Sequence, residues 1–171
     1  EGWLGNTFLQ LFIINTDTGE AKQITHAEGD HQKPVWSPDS KHIAFITNAV
    51  EDRDINRRSE AHVISPNGGE STCWSKDLSR VDALAWSPNS TQLAAIGSHD
   101  ADIWDPRMAW LYILTSDKPA NQLTDGSFTV VALTKNSWSP EGHIIVIGDQ
   151  AGESALYRIP TSNDQPEIIT G

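Results

Sequence analysis

The amino-acid sequence predicts an all-β fold, a partial β-propeller of about three and a half four-stranded blades, and three observations predict it. Trp36-Ser37-Pro38, Trp86-Ser87-Pro88 and Trp138-Ser139-Pro140 recur about 50 residues apart, each followed by a turn pair and a short apolar run. At the same distance past the first two tryptophans stand His62-Val63-Ile64 and Tyr112-Ile113-Leu114, each leading into a polar turn and another short run. No segment of useful length carries sustained helical periodicity.

Each repeat opens as strand, tight turn, strand: Pro34 to Thr47 in the first copy, Ala85 to Ile96 in the second and Trp138 to Ile147 in the third. Proline fixes the φ that opens a turn, and Asp39-Ser40, Asn89-Ser90 or Glu141-Gly142 supply the residues that complete it. The runs Ile43 to Ile46, Leu93 to Ile96 and Ile144 to Ile147 are too short for helices and suit buried strands. After the third strands, turns at Ser65 to Glu70 and Thr115 to Pro119 lead to fourth strands at Ser71 to Trp74 and Asn121 to Thr124.

The third copy is tighter, with its last two strands at Leu156 to Ile159 and Glu167 to Thr170. The amino end supplies half a copy more: Leu9 to Ile14, the turn Asn15 to Gly19, and Ala21 to Thr25. The expected organisation is a half blade over 1–27 and blades over 33–77, 82–125 and 131–170, all within one propeller domain. That falls just short of the ~4 to 8 blades that close a ring. The chain is therefore expected to be part of a larger propeller, or to complete a ring by edge-to-edge pairing with another copy.

Composition narrows the partners. Twelve Lys and Arg against twenty-three Asp and Glu give a net charge of −11, which opposes phosphate-backbone binding, so neither nucleic acid nor a membrane surface is expected. Cys73 is the sole cysteine and closes no internal disulfide. No apolar run approaches the ~20 residues of a membrane span, and Glu1 to Gly5 lacks the pattern of a signal peptide. The cytoplasm is the expected compartment.

Catalytic and metal motifs are sparse. A hydrolase nucleophile elbow needs G-x-S-x-G, and the nearest match, Gly152-Glu153-Ser154-Ala155-Leu156, lacks the second glycine and precedes a strand; Ser154 reads as a loop residue. The histidines form no H-E-x-x-H pair and Cys73 has no C-x-x-C partner, so zinc has no recognisable cradle and no cofactor is expected. His42 and His143 sit at near-matching hairpin positions, which points to structural or solvated roles. The acidic cluster from His99 to Asp105 lacks the calcium-loop pattern, and its Trp104-Asp105 pair reads as loop rather than as a WD repeat. Asn89-Ser90-Thr91 fits a glycosylation sequon, yet turn chemistry explains it.

The segments Trp36 to Asn48, Glu51 to Asp54, Ala61 to Gly69, Gln122 to Gly126 and Trp138 to Pro160 together resemble the amino-terminal propeller of prolyl oligopeptidase family serine peptidases, nearest the acylaminoacyl peptidase branch. The Trp-Ser-Pro motif is shared with other propellers, among them the TolB protein of the Tol-Pal system. The resemblance implies that the propeller caps an α/β-hydrolase domain, which holds a Ser-His-Asp triad outside this chain, and limits access to small peptides. That hydrolase domain and peptides would then be the partners. The alternative is a TolB-like module whose faces dock another protein.

The most informative local feature is the loop Glu51-Asp52-Arg53-Asp54-Ile55-Asn56-Arg57-Arg58, between the second and third strands of its blade. Its counterpart in the next blade, His99 to Trp110, carries Asp100, Asp102 and Trp104. In a propeller these loops share a face with the linkers between blades, here His26 to Lys33 and Asp77 to Asp82. Arg53, Arg57 and Arg58 are suited to pair with a peptide carboxylate or with acidic groups on a catalytic domain. The competing reading is a solvated loop neutralised by Glu51, Asp52 and Asp54. Trp104 and Trp110 suit either stacking on a ligand or packing over a blade. Trp36, Trp86 and Trp138 repeat at one position and are expected to anchor blade against blade.

Overall fold

The computed structural model describes residues 7–50, 58–100, 109–126, 128–150, 152–162 and 166–169. Among them every regular element is a β-strand. Strands β1 (Phe12–Ile14) and β2 (Ala21–Gln23) form a two-stranded sheet. Strands β3 (His31–Trp36), β4 (Ile43–Thr47), β5 (Glu60–Ile64) and β6 (Thr72–Cys73) form the next sheet, paired in sequence order. It is followed by β7 (Arg80–Trp86), β8 (Leu93–Ser98), β9 (Trp110–Leu114) and β10 (Asn121–Gln122), and then by β11 (Thr129–Ala132), β12 (Ile144–Gln150), β13 (Glu153–Ile159) and β14 (Glu167–Ile168). All pairings are antiparallel between consecutive strands, so three four-stranded blades follow a half blade.

The Trp-Ser-Pro turns are built from their own side chains. Ser37 Oγ donates to Asp39 Oδ1 at 2.6 Å and accepts from the His42 N–H at 2.9 Å, while Ser87 does the same with Asn89 and Gln92. The fourth residue past each tryptophan is left-handed: Ser40 at φ 60°, Ser90 at φ 59° and Gly142 at φ 85°. Glycine takes that conformation without the steric penalty that the two serines carry.

Fourth strands are shorter than the sequence implies. Two residues past β2, β6 and β10 stand the buried Thr25, Ser75 and Thr124, whose hydroxyls accept the Leu11, Ala61 and Leu111 N–H at 2.9, 2.8 and 2.9 Å. A side chain thus replaces the next rung of the ladder and ends the strand. The third Trp-Ser-Pro also departs from expectation. β11 stops at Ala132, the Thr134–Ser137 turn follows, and Trp138 keeps only an isolated bridge to Ile144. Ser154, expected in a loop, lies instead on β13, paired with Asp149.

The core sits between the sheets. Leu11 and Ile24 of the half blade pack on Ile43, Phe45 and Ile64. The opposite face of that blade, with Ala44, Ile46, Ala61 and Val63, meets Leu84, Trp86, Leu93 and Tyr112. A third layer joins Ala94, Ile96 and Ile113 to Phe128, Val146 and Tyr157. Blades buried on both faces read as apolar runs, and β4 and β8 are buried throughout.

The two ends of this stack are different. Phe12, Ile14 and Trp36 are exposed at one end, and Val131 and Ile147 at the other. The anchor tryptophans follow the same gradient. Trp86 is 4% exposed and its indole N–H donates to the Val35 carbonyl at 3.0 Å; Trp138 donates to the Ala85 carbonyl at 3.1 Å. Each ring therefore reaches back to the residue just before the preceding Trp-Ser-Pro. Trp36 is 49% exposed, because the sheet it faces offers only β1 and β2.

Candidate functional site

The loop face expected to bind is only partly described. Glu51, Asp52, Arg53, Arg57, Asp102 and Trp104 lie outside the described residues. Arg58 and Asp100 stand exposed at the margins of the two loops, the Asp100 N–H donating to Ser98 Oγ at 3.0 Å. His99 Nδ1 meets the Asp77 carbonyl at 2.8 Å, and Ser59 Oγ both donates to the Val81 carbonyl and accepts its N–H at 2.9 Å. The second-to-third-strand loops and the linker between blades are thus tied together at one end of the sheets. Beside them, where the sequence implied linkers, Lys33 lies on β3 and Arg80 and Asp82 on β7: Lys33 Nζ donates to the Asp82 carbonyl at 2.6 Å, and Arg80 pairs with Asp82 at 3.0 Å. Trp110 packs half-buried against the core, so it covers a blade.

A second constellation came from register rather than from spacing. Glu60 and His62 project from the same face of β5, two residues apart, and Cys73 on β6 is the direct cross-strand partner of His62. Their ligating atoms lie within 4.8 Å of one another, and all three residues are half-buried. His62 Nε2 is 3.0 Å from Glu60 Oε2, and Nδ1 is 2.9 Å from Ser71 Oγ. The Phe45 ring lies 5.8 Å from the imidazole and fixes its other side. Burial alone would lower the His62 pKa, but hydrogen bonds with Cys73 and Glu60 outweigh it and raise the value to about 9. The same imidazole is the main cause that holds the Glu60 carboxyl below its usual range, against burial.

His31 behaves oppositely. It is 6% exposed, its Nδ1 lies 2.9 Å from the Gly29 carbonyl, and its ring lies tilted against Phe45 with centroids 5.4 Å apart. Burial lowers its pKa below 6.5; the Gly29 and Leu9 backbone and Asp30 pull it up, while His62 adds to the lowering. A base depressed in the folded state favours folding fully above its unfolded pKa, and that contribution is lost as pH falls below about 6.5 through the folded value. The expected result is that acidification from pH 8 to pH 5 lowers the urea midpoint more for the wild type than for His31→Gln. Equal losses in the two proteins would contradict it.

Stacked antiparallel four-stranded sheets, with the two layers between complete blades each crossed by a tryptophan of the repeat, define a partial β-propeller. No protein-family profile matches the chain. Among curated proteins it is similar to the uncharacterized peptidase YuxL of Bacillus subtilis, 28% identical over 64 residues that make up 37% of this chain and 10% of that one. It is also similar to dipeptidyl-peptidase 5 of Arthroderma otae, 26% identical over 143 residues, 78% of this chain and 18% of that one. The chain therefore spans less than a fifth of either relative.

Among solved structures it superposes on a puromycin-hydrolyzing peptidase of Mycobacterium tuberculosis with a TM-score of 0.70 at 14% identity, over 95% of this chain and 27% of that one. It superposes on TolB of Acinetobacter baumannii with a TM-score of 0.67 at 19% identity, over 95% and 37%. These matches support the prolyl oligopeptidase family resemblance seen in the sequence: the chain is similar to a portion of that family's propeller.

Proposed function

We propose that this chain is the non-catalytic propeller portion of a serine peptidase, gating or orienting peptides for an α/β-hydrolase domain carried elsewhere on the same polypeptide. The observation that carries the reading is its similarity to peptidases of which it spans only 10% and 18% of the length. Its own residues agree: Ser154 is an exposed strand residue, and no G-x-S-x-G occurs in the chain. The acylaminoacyl peptidase-like branch and a cytoplasmic location are the finer parts of the same proposal.

In this reading the loop face admits the peptide, and Arg53, Arg57 and Arg58 hold its free carboxylate. The test is to replace all three by Ala in the full-length polypeptide and compare peptides ending in a carboxylate with their amides. A charge-assisted hydrogen bond contributes about 1.5 to 3 kcal/mol, so kcat/KM should fall roughly 10- to 100-fold for the acids and little for the amides. Equal effects on both would remove the arginines from substrate orientation. The likeness to TolB favours a second reading, a binding module whose loop face docks another protein.

A further inference from the structure

We propose that Glu60, His62 and Cys73 form a binding site for one borderline-soft divalent cation of the zinc class, at the outer edge of the first complete blade. The inference is independent of the peptidase reading. The internal repeat isolates these residues. In the half blade and the next blade, the equivalent cross-strand pairs are Phe12 with Gln23 and Tyr112 with Gln122. Both glutamines serve the scaffold in the same way, donating through Nε2 to the Thr25 and Thr124 carbonyls at 2.7 Å. In the last blade the pair is Tyr157 with Ile168. Only the blade of β3 to β6 replaces an aromatic ring and a scaffold partner by an imidazole and a thiol. It also places Glu60 two residues before the imidazole, where the other blades carry Gln10, Trp110 and Ala155. Three ligand types thus converge where the fold asks for none of them.

The donor set suits the cation. Zinc takes thiolate at about 2.3 Å and imidazole or carboxylate at about 2.0 to 2.2 Å, which places tetrahedral ligands roughly 3.3 to 3.7 Å apart. The three donor atoms already lie within 4.8 Å of one another, so side-chain torsions alone gather them. Ser71 Oγ, 2.9 Å from Nδ1, is placed to accept the Nδ1–H when the cation takes the place of the proton that Nε2 shares with Glu60 Oε2. A hydrogen bond on the far ring nitrogen is the usual outer support of a metal-ligating histidine. Half-burial leaves the fourth position open to water. On binding, the cation displaces the proton of the thiol and any proton on Nε2, both released to solvent, and no electron is transferred. The site would clip the two-residue β6 to β5.

The test uses cobalt(II) as a spectroscopic stand-in for zinc, added to the full chain. The expected result is saturable binding of one cobalt per chain, with a thiolate-to-cobalt charge-transfer band that zinc abolishes. Because Cys73 is the only cysteine, the band has a single intramolecular source. Cys73→Ser should remove the band, Glu60→Gln should weaken binding while keeping it, and Ser71→Ala should weaken binding about 10- to 100-fold. Retention of the wild-type far-ultraviolet circular dichroism by each variant separates ligand loss from unfolding. Absence of saturable binding, binding without the thiolate band, or one cobalt shared by two chains would overturn the proposal.

Discussion

Trp86→Ala is expected to lower the unfolding free energy by about 3 to 5 kcal/mol, the range for truncating a buried aromatic residue. The ring is 4% exposed, stands edge-on to Trp74 with centroids 5.4 Å apart, and fills the layer between two complete blades. Its indole N–H also crosses that layer to the Val35 carbonyl, so truncation leaves a cavity and an acceptor without its donor. Trp86→Phe keeps most of the packing and removes the hydrogen bond, and should cost about 1 kcal/mol from that loss. Trp36→Ala provides the internal control. The same sequence motif, half exposed, should cost well under half as much. Urea unfolding of the three variants checks the series, and a Trp86→Ala cost below about 1 kcal/mol would contradict the packing described.

The second large effect concerns Phe128 and Gly148. Phe128 is 3% exposed and stands edge-on to Tyr157, with ring centroids 4.6 Å apart, in the last inter-blade layer. Phe128→Ala is expected to cost about 3 to 5 kcal/mol. A Cβ added to Gly148 would collide with the Phe128 ring at Cζ, so Gly148→Ala displaces a ring that is pinned on its other side. The expected cost is about 1 to 3 kcal/mol, as for overpacked cores. The two are coupled by the space they share. Once Phe128 is Ala, the Gly148→Ala penalty should disappear or reverse, because the new methyl enters the vacated volume. Additive penalties in the double variant would contradict this contact.

The repeat was legible because its chemistry is local. Proline, a turn acceptor and a left-handed residue follow each anchor tryptophan within four positions, and the same side-chain bonds close the turns at Ser37 and Ser87. The ends of the fourth strands were harder to place, because a buried hydroxyl two residues on ends the pairing in a segment that still looks β-prone. The unequal burial of the three tryptophans followed from what each one faces, which no local window contains. The His62–Cys73 pair was missed because its ligands sit on neighbouring strands, outside the spacings of helical and loop metal motifs. Aligning the repeats on their fourth strands would have exposed it, since Cys73 stands where Gln23 and Gln122 stand. The charged loop was legible as a candidate from its composition, but Glu51 to Arg57 lie outside the described residues.

The central functional claim is that this propeller portion belongs to a polypeptide with an activated serine. Exposure of that polypeptide to a fluorophosphonate probe, followed by the mass of any labelled band, tests it most directly. The account predicts a labelled species much heavier than the 18.8 kDa of this chain, with the label outside residues 1–171. An intact parent that takes no label, or a label on a serine of this chain, would contradict it.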